Sequence, residues 1–195
     1  SPVSIAALDC DANLRIGAGS LTATGAGELR GDLFMAAGTT LTADGTGASL
    51  LAAGRVSIQG ANLYALNGGH LSLPGVVNYF HASTANSQTR VFRAEGAGSR
   101  LELDGLVTIT NGTHYEARIS IQAHSGGVVD LSTLEQIVDP HLGDSRRRAV
   151  HVSADGADSR IELTSLVNVI DINGTGTTDG RYSTRAATNG GVLQT

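Results

Sequence analysis

Residues 96–109 read GAGSRLELDGLVTI, and residues 156–169 read GADSRIELTSLVNV, with 8 of 14 positions identical. A chain that repeats itself this closely builds one structural unit several times, and each unit buries its apolar side chains against the next. Anchoring on an alanine that closes an apolar pair gives Ala65, Ala94, Ala123, Ala154 and Ala187, whose spacings are 29, 29, 31 and 33. After each anchor comes a glycine-rich corner (LNGGH, EGAGS, HSGGV, DGADS, TNGGV) and then an apolar strand pattern.

In those strands the inward positions fall at offsets 0, 2, 5 and 8, as in Leu101, Leu103, Leu106 and Ile109. The sets from Leu71, Val129 and Ile161 repeat the spacing, with Tyr79 the one aromatic. A step of two is a half-buried strand, and the step of three requires a corner before the next strand. A second alternating pair, such as Ile119 and Ile121, precedes each glycine corner. The stretches are short, rich in β-branched residues and interrupted by Gly, so no amphipathic helix fits. Stacked coils of short strands follow, with equivalent apolar residues in ladders roughly 4.8 Å apart.

The first sixty residues show shorter versions of the pattern in AGSLTATGAGEL, AAGTTLTADGTGASL and AAGRVSIQGANL. Leu21 and Leu41 stand 20 apart and Leu41 and Val56 stand 15 apart, which predicts near-minimal coils there. The reading is one solenoid domain, with short coils (a spacing of about 20) over 1–60 and long coils (spacings of 29–33) over 61–195. A thin repeated core suits a chain with 4% aromatic residues and no Trp, whose apolar content is spread over Leu, Val, Ile and Ala. The chain ends NGGVLQT, a corner and the start of a strand. An open strand edge there is expected to be covered by further repeats of a longer parent chain or by another chain.

AAGTTLTADG and AAGRVSIQG resemble the short coils of filamentous haemagglutinin and autotransporter-passenger adhesins, which are right-handed parallel β-helices of large bacterial surface and secreted proteins. GGVVDLSTLEQI is similar to the longer Gly-Gly, Leu-Asp-Leu-Ser repeats of giant bacterial exoproteins. The resemblance implies an all-β right-handed parallel β-helix, an extracellular or cell-surface setting, and an adhesive or structural role. Neighbouring domains of the same parent chain are then natural partners.

The differences in coil length fall in one place. YFHASTANSQTR, TNGTHYEAR, VDPHLGDSRRR and DINGTGTTDGRYSTR all lie between the last apolar residue of one coil and the first strand of the next. Coils in register project these loops from a single edge, where repeat proteins place binding surfaces. The candidate ligand-binding residues are His81, His114, Tyr115, His141, Arg146, Arg147, Arg148, Arg181 and Tyr182. Tyr stacking beside Arg and Asp groups suits a polysaccharide, and a surface protein is the other partner considered. Arg146, Arg147 and Arg148 read either as an anion clamp or as partners of Asp139 and Asp144 in the same loop.

Glu102, Asp130 and Glu162 form an outward acidic row, at a separation that fits a glycosidase pair or a bound Ca²⁺, with Arg100 and Arg160 placed to offset the repulsion. Asp171, Asn173 and Asp179 only partly match a calcium loop. Asn111-Gly-Thr and Asn173-Gly-Thr match a glycosylation acceptor. No nucleophile elbow, zinc-binding helix motif, paired cysteines or phosphate-cradling loop is present, so no catalytic residues, metal site or cofactor are assigned. A net charge of −5 argues against nucleic acid, and no apolar run reaches a membrane span. The leading functional expectation is a non-enzymatic structural or adhesive segment; the alternative is a polysaccharide lyase or glycoside hydrolase on the same scaffold. In that alternative the loop acids Glu116, Asp139, Asp144 and Asp171 supply the chemistry, in a cleft joining His114, Glu116 and Asp139.

Overall fold

A computed structural model describes residues 1–171 and 182–195. Among these residues there is no helix, and every strand pairing is parallel. Three sheets form the walls. Sheet A contains Pro2–Ile5, Ser20–Ala23, Thr40–Asp44, Asn62–Leu66, Thr89–Glu95, Arg118–His124, Ala149–Asp155 and Thr184–Thr188. Sheet B contains Asp9–Cys10, Ala26–Leu29, Ser49–Ala52, His70–Ser72, Arg100–Glu102, Val128–Asp130, Arg160–Glu162 and Val192–Gln194. Sheet C contains Leu14–Ile16, Leu33–Met35, Val56–Ile58, Val76–Phe80, Thr108–Thr110, Gln136–Asp139 and Asn168–Asp171. The chain visits A, B and C in turn, so each circuit is one coil of a parallel β-solenoid.

The alanine ladder is longer than the sequence pattern indicated. Ala23, Ala43, Ala65, Ala94, Ala123, Ala154 and Ala187 are successive partners in sheet A. Their spacings are 20, 22, 29, 29, 31 and 33. The very short coil expected from Leu41 to Val56 does not exist: Leu41 pairs with Leu63 in sheet A, while Val56 pairs with Leu33 and Val76 in sheet C. The two Ala-Ala-Gly stretches sit at different corners, Ala36–Gly38 ahead of sheet A and Ala52–Gly54 ahead of sheet C. Similar local sequence at inequivalent corners produced the false spacing.

Inside, Leu21, Leu41, Leu63, Phe92, Ile121 and Val152 stack as one buried column, and Leu50, Leu71, Leu101, Val129 and Ile161 as another. Each such side chain contributes about 1.5–3 kcal/mol by leaving water. Where the alanine spacing jumps from 22 to 29, between Ala65 and Ala94, Tyr79 and Phe92 meet edge to face at 4.6 Å, and the Tyr79 hydroxyl donates to the Ala61 carbonyl at 2.9 Å. This aromatic pair occupies the step between short and long coils.

The corners between sheets A and B alternate along the axis. From Ala43, Ala65, Ala94, Ala123, Ala154 and Ala187 to the inward residue of sheet B (Leu50, Leu71, Leu101, Val129, Ile161, Leu193) the chain advances by 7, 6, 7, 6, 7 and 6 positions. The short corners are Asn67-Gly68, Ser125-Gly126 and Asn189-Gly190, each pair at positive φ and followed by a second glycine. In two long corners a serine reaches back to the short corner of the preceding coil. Ser99 Oγ accepts the Gly68 N–H at 2.9 Å and donates to the Glu95 carbonyl; Ser159 Oγ does the same with Gly126, at 3.0 Å, and Asp155. The repeating unit is therefore a pair of coils, which is why residues 96–109 are echoed sixty residues later.

Candidate functional site

The long loops leave sheet C and return to sheet A, and three of them, spanning residues 81–88, 111–117 and 140–148, are stacked like the strands they follow. The Ser87 N–H donates to the Tyr115 carbonyl at 2.9 Å, and the Glu116 N–H to the Arg146 carbonyl at 3.0 Å. Ser87, Glu116 and Arg147 share the left-handed backbone conformation, with φ of 58°, 59° and 58°. Ser87 Oγ donates to Glu116 at 2.7 Å, Ser83 Oγ and His114 Nδ1 are 2.9 Å apart, and the Asp144 N–H donates to the Thr113 carbonyl at 2.9 Å. Together the loops form a shelf along one edge.

Beneath the shelf runs a column of buried polar side chains. His81, Asn111 and Asp139 directly follow the in-register residues Phe80, Thr110 and Val138, and all three are buried. His81 Nδ1 donates to Asn111 Oδ1 at 3.2 Å; Asn111 Nδ2 donates to the Ala117 carbonyl at 2.9 Å and faces Asp139 Oδ1 at 3.4 Å. Asp139 pairs with Arg148, whose Nε lies 3.2 Å from Oδ1. Arg148 has no exposed surface and donates to the carbonyls of Gly112, Leu142 and Pro140. Burial holds His81 down to about 4, outweighing the Asn111 hydrogen bond that favours its charged form.

Two of the nine candidate residues, His81 and Arg148, thus lie under the surface. Asn111 is not an open glycosylation acceptor in the folded chain, because its amide is buried and bonded to the Ala117 carbonyl. Sequence reading missed this column because loop histidines and asparagines are ordinarily solvated. The available signal was their common position two residues after the inward Tyr79, Ile109 and Ile137 of sheet C.

On the outer surface of the shelf, Arg146 lies over the Tyr115 ring at 5.3 Å and clamps Asp144 through two side-chain hydrogen bonds, of 2.9 and 2.6 Å. The side-chain and backbone hydrogen bonds from Arg146 hold the Asp144 carboxyl at about 2, so it is ionised at neutral pH. Arg146 is therefore a neutralised partner and not an open anion clamp. His141 is exposed at the tip of its loop, beside Leu142. Tyr182 is 58% exposed and borders a cavity of about 210 Å³ with Asp171, Ser183 and Arg185 at the last coils. Arg181, Asn173 and Asp179 lie outside the described residues.

The loop acids are all engaged. Glu116 pairs with Arg118, Asp139 with Arg148 and Asp144 with Arg146, while Asp171 accepts the Ser183 N–H at 2.6 Å. His114, Glu116 and Asp139 do not converge on one open face, since Asp139 is 1% exposed. The acidic row on sheet B is in register, Glu102 beside Asp130 and Asp130 beside Glu162. Arg100 bridges Glu102 and Asp130 at 2.5 and 2.8 Å, Arg160 holds Glu162 at 2.9 Å, and His70 adds a 2.8 Å contact to Glu102. Burial raises the Glu102 pKa, but the bonds from Arg100 and His70 prevail and leave it below the ordinary value. Among the described residues no cluster of three or more His, Cys, Asp or Glu side chains is arranged to hold a metal. No family model, curated protein or solved structure matches the chain.

Proposed function

We propose that this solenoid is a rigid structural and adhesive segment of an extracellular bacterial protein, non-enzymatic, which binds carbohydrate through the outer surface of its loop shelf. The observation carrying this reading is the ordered stacking of three consecutive loops, which holds Tyr115, Arg146 and Asp144 in fixed relation. A tyrosine ring beside a paired guanidinium and carboxylate offers a stacking surface with donors and acceptors at its rim, the requirement for recognising sugar hydroxyls. A shelf already ordered before binding forgoes the entropy loss of fixing a loop. The extracellular setting rests on the resemblance of the repeats to those of bacterial surface proteins.

A glycan array probed with the wild-type protein, Tyr115→Ala and Arg146→Ala tests this. The expected result is a specific hit for the wild type that both variants weaken at least tenfold. No hit, or a hit indifferent to both substitutions, overturns it. Release of reducing ends from the bound glycan would establish the hydrolase or lyase alternative instead.

A further inference from the structure

The outer face of sheet C carries a second surface, built mainly by the coils that precede the loop shelf. Eight described arginines and histidines lie in ion pairs; Arg15 and Arg55 are not among them. Both are exposed and both open onto one groove. Its first part, about 380 Å³, is lined by Arg15, Asp32, Phe34, Arg55 and Ser57. Its second part, about 440 Å³, shares Arg55 and Ser57 and continues to Val77, Asn78 and Phe80.

Register fixes the layout. Arg15, Phe34 and Ser57 are consecutive partners across sheet C, so Arg15 and Ser57 are two strand spacings apart, roughly 10 Å along the axis. The Arg15 guanidinium lies over the Phe34 ring at 4.2 Å, which fixes its position. The next strand, Val76–Phe80, carries an irregularity between Val76 and Tyr79 that leaves Val77 and Asn78 both facing out. Val77 is 53% and Phe80 46% exposed, an apolar floor that water leaves readily. The groove thus runs along the axis over four coils, with two cations outside any ion pair and the Phe34 ring under one of them at its start, and an amide and a second aromatic at its end.

We infer that this groove binds an extended acidic polysaccharide whose carboxylates are spaced by uncharged sugar atoms, a uronate chain. Charge complementarity supplies the argument: elsewhere on this acidic protein cations are mostly matched by its own carboxylates, whereas here they are left for a ligand. Asp32 also lines the groove, its Oδ1 accepting the Arg55 backbone N–H at 3.1 Å. Its carboxylate can also accept from a sugar hydroxyl, a donor that a uronate chain carries on each ring beside its carboxylate. Phe80, 46% exposed, presents its ring to the C–H surfaces of sugars, while Phe34 serves as the platform under the Arg15 guanidinium. This site stands independently of the loop shelf.

The test is calorimetric titration with de-esterified polygalacturonate oligomers, with the same oligomers fully methyl-esterified, and with a single-stranded oligonucleotide. Wild type should bind the charged sugar at least tenfold more tightly than the ester. The double variant Arg15→Gln/Arg55→Gln should lose at least tenfold in affinity with its thermal transition unchanged, and Phe80→Ser should lose affinity as well. Tyr115→Ala and Arg146→Ala should leave this binding intact, which separates it from the shelf. Undiminished binding by the double variant, no binding by wild type, or a preference for the oligonucleotide would each overturn the assignment.

Discussion

Arg148 organises the third loop from below. It has no exposed surface, its partner Asp139 is 1% exposed, and three backbone carbonyls accept from its guanidinium. Arg148→Met would strand a buried carboxylate, a change that costs about 3–5 kcal/mol. The expected readout is a lower urea midpoint with earlier proteolytic cleavage within residues 140–148. His81, in the same column, couples stability to pH. Burial holds it at about 4, whereas the unfolded chain's histidine titrates near 6.5. Below pH ~6.5 the unfolded chain gains a proton that the folded chain refuses, so the contribution is complete above that pH and declines until about pH 4, by roughly 3 kcal/mol. Urea midpoints taken near pH 7 and about pH 4.5 should differ by more in wild type than in His81→Asn.

At the scale of the element, the corners decide which substitutions the coil tolerates. Gly127 and Gly191 occupy the second glycine of two short corners, and a Cβ there would collide with the carbonyl oxygens of Ala94 and Ala154. A side chain so close to backbone cannot be relieved by a rotamer change, so Gly127→Ala should remove most of the folded population at ambient temperature. Gly17, where a Cβ meets nothing within 4 Å and φ is not positive, should accept Ala with a change under ~0.5 kcal/mol. Ser99→Ala leaves the Gly68 N–H without its acceptor and should cost about 1–3 kcal/mol, measured by chemical denaturation. The corner residues were legible as glycine-rich bends, but their alternation was not. It appears only when counted from the alanine to the inward residue of sheet B, and a spacing of 6 against 7 looks like drift until register pairs the coils.

Taken whole, the molecule is a one-dimensional stack, and that property was the most legible in the sequence. Leu101, Leu103, Leu106 and Ile109 and their equivalents announced inward positions because a period enforced by stacking survives substitution. The shelf was legible as a place and not as a structure: aligned length differences located the loops, while the descent of His81 and Arg148 beneath them depends on contacts between coils that no single loop encodes. The groove on sheet C escaped altogether, because Arg15, Phe34, Arg55 and Phe80 belong to four different coils and share no motif. Stacking also dictates how the fold fails. Each coil touches mainly its two neighbours, so stability is a sum of coil terms and interface terms. Ile121 is buried in the column between Phe92 and Val152. Ile121→Asp places a carboxylate in that column and breaks both interfaces at once. Amide exchange should then show lost protection in Arg118–His124 and the strands beside it, while Thr40–Asp44 and Asn62–Leu66 keep theirs. Uniform loss of protection across all coils would instead mean that the solenoid folds as a single cooperative unit.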